Sequence, residues 1–129
     1  VHDGDSYTVD CDLGPIYGHD RDLGMGLRVF KRRLIARIHV RLAHYNAAEL
    51  GTPGGDAAYS AVADILTVGS DIGVRVLQPD NYGMRWDAEV TLADGRDLGE
   101  LLYAEGWVAP YEGTGPKPVP PYPPVSNTP

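Results

Sequence analysis

The sequence predicts an α+β domain in which strands dominate, and three observations carry that reading. Residues 6–13 and 33–42 alternate apolar and polar side chains with the two-residue period of a half-buried strand. Two shorter alternating stretches, 72–76 and 86–92, follow later in the chain. Two further segments have helical spacing and recognisable starts, at Thr52-Pro53 and at Asp97. A chain of 129 residues forms one domain with one modest core.

In the first strand Tyr7, Val9, Cys11 and Leu13 are apolar, while Ser6, Thr8, Asp10 and Asp12 are polar. Asp5 shares the parity of the apolar set. A carboxylate there is costly to bury unless a cation or hydrogen-bond donors satisfy it. Residues 14–27 are rich in glycine and turn residues, with Asp12-Leu13-Gly14 echoed by Asp22-Leu23-Gly24, and are expected to form an extended loop. In the long strand, Leu34, Ala36, Ile38, Val40 and Leu42 share one face, so Arg41 projects from the other at the strand's end.

Thr52 reads as an N-cap and Pro53 as the first helical residue, with Ala58, Ala61, Val62 and Ile65 as the buried face and an end near Gly69. Ile72, Val74 and Val76 mark the next strand. Trp86, Ala88, Val90 and Leu92 mark the one after it, closed by an Asp94-Gly95 turn. Asp97 with Glu100 fits a capping box for a helix carrying Leu98, Leu101 and Leu102 and stopped by Gly106. Beyond Tyr111 the chain is proline-rich, so residues 113–129 are expected to be extended or disordered. A spacer is the primary reading of that tail, and its P-x-x-P spacings also suit a protein partner.

The formal charge of −7 argues against a nucleic-acid binder held by bulk charge, because phosphate contacts come from Lys and Arg. Six of the eleven basic residues nevertheless lie between Arg28 and Arg41, either as a solvated strand face or as local positive potential. A single cysteine, Cys11, excludes an internal disulfide and a Cys-based zinc site. His2, His19, His39 and His44 show no metal-ligand spacing. No apolar run nears the ~20 residues of a membrane span, so no membrane role is expected. The sequence shows no signal-peptide pattern and does not open on Met, so a processed or excised segment is expected, in a secreted or phage-associated setting.

Three short segments hold polar groups suited to phosphodiester chemistry. They are Asp3-Gly4-Asp5-Ser6; Arg41-Leu42 running to Asn46-Ala47-Ala48-Glu49; and Asp80-Asn81-Tyr82-Gly83 followed by Met84 and Arg85. Hydrolysis of a phosphodiester needs an aimed and deprotonated water, a cation on phosphate oxygen, and fixed donors for the growing negative charge. In order and spacing the three segments resemble the motifs of the thermonuclease (staphylococcal-nuclease-like) family, over residues 1–112. That resemblance implies a five-stranded OB-like barrel with two to three helices. It also implies a Ca²⁺-dependent nuclease of low sequence specificity whose partners are DNA and RNA, preferably single-stranded.

Carried over motif by motif, Arg41 and Arg85 match phosphate-contacting arginines and Glu49 matches the general base. Asp5, Asn46 and the Ala47 carbonyl match the metal ligands, with Asp3 beside them. Tyr82 and Tyr111 are candidates for stacking on a base. The chain departs from the family pattern in its Asn at 46, in Ala48 for a proline, in His44-Tyr45 for glycine or an aliphatic pair, and in the inserted Met84. Those departures support the alternative of a catalytically retired barrel kept as a binding or structural module. If the site is real, Arg41, Arg85, Glu49 and Asp5 must share one cleft.

Overall fold

The structure, a computed structural model, describes residues 1–79 and 85–128. It is an α+β fold built mainly of strands. The elements are β1 (Ser6–Pro15), β2 (Arg21–Gly24), β3 (Leu27–Phe30), β4 (Arg33–Leu42), β5 (Tyr45–Ala47), α1 (Pro53–Ile65), β6 (Ile72–Pro79), β7 (Trp86–Leu92), α2 (Leu98–Glu105) and β8 (Val108–Pro110). Two helices are therefore present among the described residues.

The long strand β4 organises the sheet. It pairs antiparallel with β1 from Ser6↔Arg41 to Pro15↔Arg33. It also pairs with β3 through Arg33–Ala36 and with β7, in parallel, through Val40–Leu42. β6 then adds to β7 antiparallel, and β2 adds to β3. The result is a six-stranded mixed sheet with a separate β5–β8 pair, where the sequence led us to expect five strands. Among the described strands none joins β1 to β6, so the sheet stays open there. A groove of about 450 Å³ lies between β1 and residues 66–72.

Alternation explains what packs. Tyr7, Val40, Leu42, Ala88 and Val90 present one sheet face to Val62 of α1 and to Leu98 and Leu102 of α2. Each such fully buried Val or Leu contributes about 1.5–3 kcal/mol. Leu13 is exposed despite its apolar parity, because the register shifts between Asp12 and Gly14 and breaks the two-residue period. Helix α1 starts where expected, with Thr52 Oγ1 accepting from the Gly55 amide at 3.0 Å, but stops at Ile65, four residues before Gly69. Helix α2 is capped by Asp97 and ends at Gly106, whose φ of 86° needs the left-handed freedom of glycine.

One expectation needs correction. The expected loop at 14–27 folds partly into strand: Arg21–Gly24 and Leu27–Phe30 form a hairpin that extends the sheet. Its turn is Met25-Gly26, and the next turn is Lys31-Arg32; all four residues have positive φ, at 55°, 79°, 48° and 60°. Such two-residue turns match the right-handed twist of paired strands. Of the two readings of the basic run Arg28–Arg41, the solvated strand face fits most of it. Arg28 and Arg37 both pair with Asp10 at 3.0 Å and Arg33 pairs with Asp12 at 2.9 Å, leaving Arg41 apart at the far end of β4.

Candidate active site

The topology brings three element ends together. β1 runs antiparallel to β4, so its start meets the end of β4, with Ser6 opposite Arg41. β7 runs parallel to β4 in the register Val40↔Trp86, so Arg85, just before β7, arrives at the same place. The chain then leaves β4 through a turn at His44 (φ 73°) and returns as β5, which carries Asn46 and Ala47 back to the start of β1.

These ends surround one cleft of about 330 Å³. Asp5, Arg41, Glu49 and Arg85 all line it, as the sequence required. Asp3, Asn46 and Ala47 line it too, together with Lys117 from the tail. Its acidic lining is Asp3, Asp5 and Glu49 and its basic lining is Arg41, Arg85 and Lys117, so the cleft is formally balanced inside an acidic protein.

Asp5 is buried, and its donors are visible. Its Oδ2 accepts from the Ala47 amide at 2.9 Å and stands 3.6 Å from an Arg41 nitrogen, while Oδ1 accepts from Ser6 Oγ at 3.3 Å. The carboxyl is nevertheless pushed up from the ordinary 3.8 to about 6. Burial is the largest cause, followed by contact with the Asp3 carboxyl; the Ala47 amide and Arg41 pull the other way less strongly. Gly4 makes the turn possible by packing: a Cβ there would stand 2.8 Å from the Ala47 Cβ.

Arg41 is buried at 5% exposure and held on three sides. It donates to the Leu42 carbonyl at 3.3 Å and to Asn46 Oδ1 at 3.1 Å, and its guanidinium lies 5.5 Å from the centre of the Tyr111 ring. Two of its five N–H donors are used in those bonds, and the guanidinium also lies 3.6 Å from Asp5 Oδ2, at the inner wall of the cleft. Arg85 donates to Ser6 Oγ at 3.2 Å, so Ser6 ties it to Asp5. Glu49 is exposed at the cleft, but its backbone is fixed: its carbonyl accepts from Thr52 Oγ1 at 2.7 Å. Gly55 also approaches that carbonyl so closely that a side chain could not fit between them.

Asn46 is oriented by its surroundings. Its Nδ2 donates to the carbonyls of Ala47 at 3.1 Å and Pro118 at 2.9 Å, which turns Oδ1 toward Arg41. Hard oxygens able to hold a cation are thus the Asp5 carboxylate, Asn46 Oδ1 and the Ala47 carbonyl, with Asp3 beside them. Among the described residues no group of three or more His, Cys, Asp or Glu is placed for a metal, so neutral oxygens and water would supply the remainder of any shell.

Tyr111, a candidate for stacking on a base, packs behind the arginine. It is buried, it stacks on Arg41, and its hydroxyl donates to the Gly115 carbonyl at 3.3 Å; it supports the arginine rather than facing a base. Tyr82, with the rest of Asp80–Met84, lies outside the described residues. Sequence reasoning missed Lys117, one of only two lysines, and Gly55; it named Ser6 and Thr52 but not the bonds by which they hold Arg85 and the Glu49 carbonyl.

No family model and no curated protein matches this chain. What the site does therefore rests on its own chemistry. Two arginines, an exposed carboxylate and a buried carboxylate among oxygen donors suit a phosphate ester with a cation beside it.

Proposed function

We propose that this chain is a Ca²⁺-dependent phosphodiesterase, a divergent relative of the thermonucleases, that hydrolyses DNA and RNA with low sequence specificity and prefers single strands. The observation that carries the reading is that Asp5, Arg41, Glu49 and Arg85 line one cleft although they are widely separated in sequence. In this reading the open sheet is an OB-like barrel, with the parallel β4–β7 pair joining its two halves.

Asp5, Asn46 Oδ1 and the Ala47 carbonyl would hold the calcium, with Asp3 adding charge nearby. Bound calcium supplies a positive charge for a phosphoryl oxygen. Arg41 and Arg85 grip the equatorial oxygens, where charge grows as the reaction proceeds. Glu49, exposed and fixed through Thr52, takes the proton of the attacking water. The water oxygen bonds to phosphorus and the P–O5′ bond breaks, leaving a 3′-phosphate; the departing 5′ oxygen takes a proton from solvent. Rigid aim matters here, since positioning accounts for a large share of such rate enhancement.

One observation favours the second reading, a retired binding module. Asn46 Oδ1 and the Ala47 carbonyl already have partners, Arg41 and Asn46 Nδ2 respectively. The same experiment separates the two. Heat-denatured DNA is incubated with the protein in calcium and in EGTA, and acid-soluble nucleotide is measured for wild type and Glu49→Gln. Calcium-dependent release that disappears in Glu49→Gln supports the enzyme. Binding without release supports the retired module, and neither binding nor release overturns both.

A further inference from the structure

The proline-rich tail does not behave as a spacer. From Gly113 it runs back over the body and is fastened at both ends. Near its start, the Pro118 carbonyl accepts from Asn46 Nδ2 at 2.9 Å, and Pro120 is buried. Further on, Tyr122 packs against Gly54 at the start of α1. At its end, Asn127 donates from its backbone to the Ala104 carbonyl and from Nδ2 to the Tyr103 carbonyl, both at 2.9 Å. Those are carbonyls of the last turn of α2; Tyr103 also accepts from the Gly106 amide at 3.0 Å, and the tail supplies a donor to Ala104.

This course carries Lys117 into the cleft beside Arg41 and Arg85. It also accounts for Asn46. The Nδ2 group faces two carbonyl oxygens, Ala47 and Pro118. An aspartate there would set carboxylate oxygen against both, with no donor to satisfy them. The asparagine and the strap are therefore matched to each other: the amide holds the strap, and the strap holds the amide.

We propose that the tail is a fixed wall of the site and that Lys117 is a third phosphate-binding cation, contacting the strand next to the phosphate held by the two arginines. This rests on the cleft being a phosphodiester site. A point charge on a flexible stem suits a flanking phosphate, whereas the planar guanidiniums suit the reacting one. Lys117 then offsets part of the repulsion that a −7 protein exerts on a polyanion.

The test uses the full chain and a fluorescein-labelled single-stranded 12-mer in EGTA, with affinity measured against salt concentration. Lys117→Ala should weaken binding roughly three- to tenfold at low salt and flatten the log–log salt slope by about 0.7, the change for one single-strand phosphate contact. Lys117→Arg should restore both, and Lys31→Ala on the remote turn should change neither. Asn46→Asp should weaken binding too, and adding Lys117→Ala to it should cost less than the two effects summed, because both act through one strap. If wild type binds no strand in EGTA and Glu49→Gln binds none in calcium, the phosphodiester reading fails and this one with it. If wild type binds but Lys117→Ala and Lys117→Glu match it in affinity and slope, the strap proposal alone fails. Weakened affinity with an unchanged slope and no rescue by arginine also overturns it, since that marks a purely structural lysine.

Discussion

Gly55→Ala is the most informative perturbation of the fold, because two principles give it opposite signs. Alanine favours a helix over glycine by about 1 kcal/mol, so propensity alone makes the variant more stable. Contact with the Glu49 loop says otherwise. An added Cβ would overlap the Glu49 carbonyl and stand 2.9 Å from the Leu50 nitrogen. Ordinary contacts between non-bonded heavy atoms are roughly 3.5–4.0 Å, so the loop must retreat by more than about 1 Å. Overpacking of this kind costs typically 1–3 kcal/mol, and backbone atoms cannot rotate away, so the upper end applies and the net loss is about 1–2 kcal/mol. The displaced residue is the proposed base, and a misplacement of about 1 Å can cost about 100-fold in rate. Urea denaturation with Ser60→Ala on the exposed face of α1 as control, together with the calcium-dependent cleavage rate, measures both. A Gly55→Ala protein about 1 kcal/mol more stable than wild type, with an unchanged rate, would refute the reasoning.

Thr52 both caps α1 and holds the Glu49 carbonyl, so Thr52→Ala should lose about 1–2 kcal/mol in denaturation and slow cleavage, while Thr52→Ser keeps both. Lys31 and Arg32 hold left-handed φ values, a strain of roughly 1–2 kcal/mol each, so Lys31→Asn with Arg32→Gly should raise the unfolding free energy by about 1–2 kcal/mol, read as a higher urea midpoint at an unchanged m-value. Without metal, Asp5 holds its proton to about pH 6 in the folded chain and to about 3.8 in the unfolded one, so the folded state binds more protons between those values. Stability in EGTA should therefore fall as pH rises through that window, by on the order of 1–3 kcal/mol, and Asp5→Asn should flatten the dependence. The same proton must leave for a cation to bind, so calcium affinity by calorimetry should rise from pH 5 to pH 7.

Much of the frame was legible because its signals are local. Residues 33–42 alternate with one exception, Ile35 on the polar face, and β4 spans Arg33–Leu42 as expected. Asp97 and Gly106 bracket α2 for the same reason: an N-cap and a left-handed C-cap are properties of single residues. The β2–β3 hairpin was hidden because its strands are four residues long and lie among glycines and aspartates, which speak for turns more loudly than Leu27 and Val29 speak for strand. The tail has no helix or strand among its described residues, as its prolines imply, but its course was hidden because composition reports side chains, whereas Pro118 is held by its carbonyl and Asn127 partly by its amide. The place of Tyr111 against Arg41 was not legible, since only packing tells a ring that faces substrate from one that backs an arginine. The convergence of Asp5, Arg41, Glu49 and Arg85 was anticipated through motif spacing, and its cause is the pairing of β4 with both β1 and β7.

The most direct test of the central claim is a ¹H–¹⁵N spectrum of the arginine Nε–Hε groups in the Glu49→Gln protein, titrated with a single-stranded oligonucleotide in calcium. The Arg41 and Arg85 resonances should shift together, with one midpoint, while those of the ion-paired Arg28, Arg33 and Arg37 stay in place. If the strand moves the Arg28–Arg37 set and leaves Arg41 and Arg85 unchanged, the cleft does not hold the phosphate and the account is wrong.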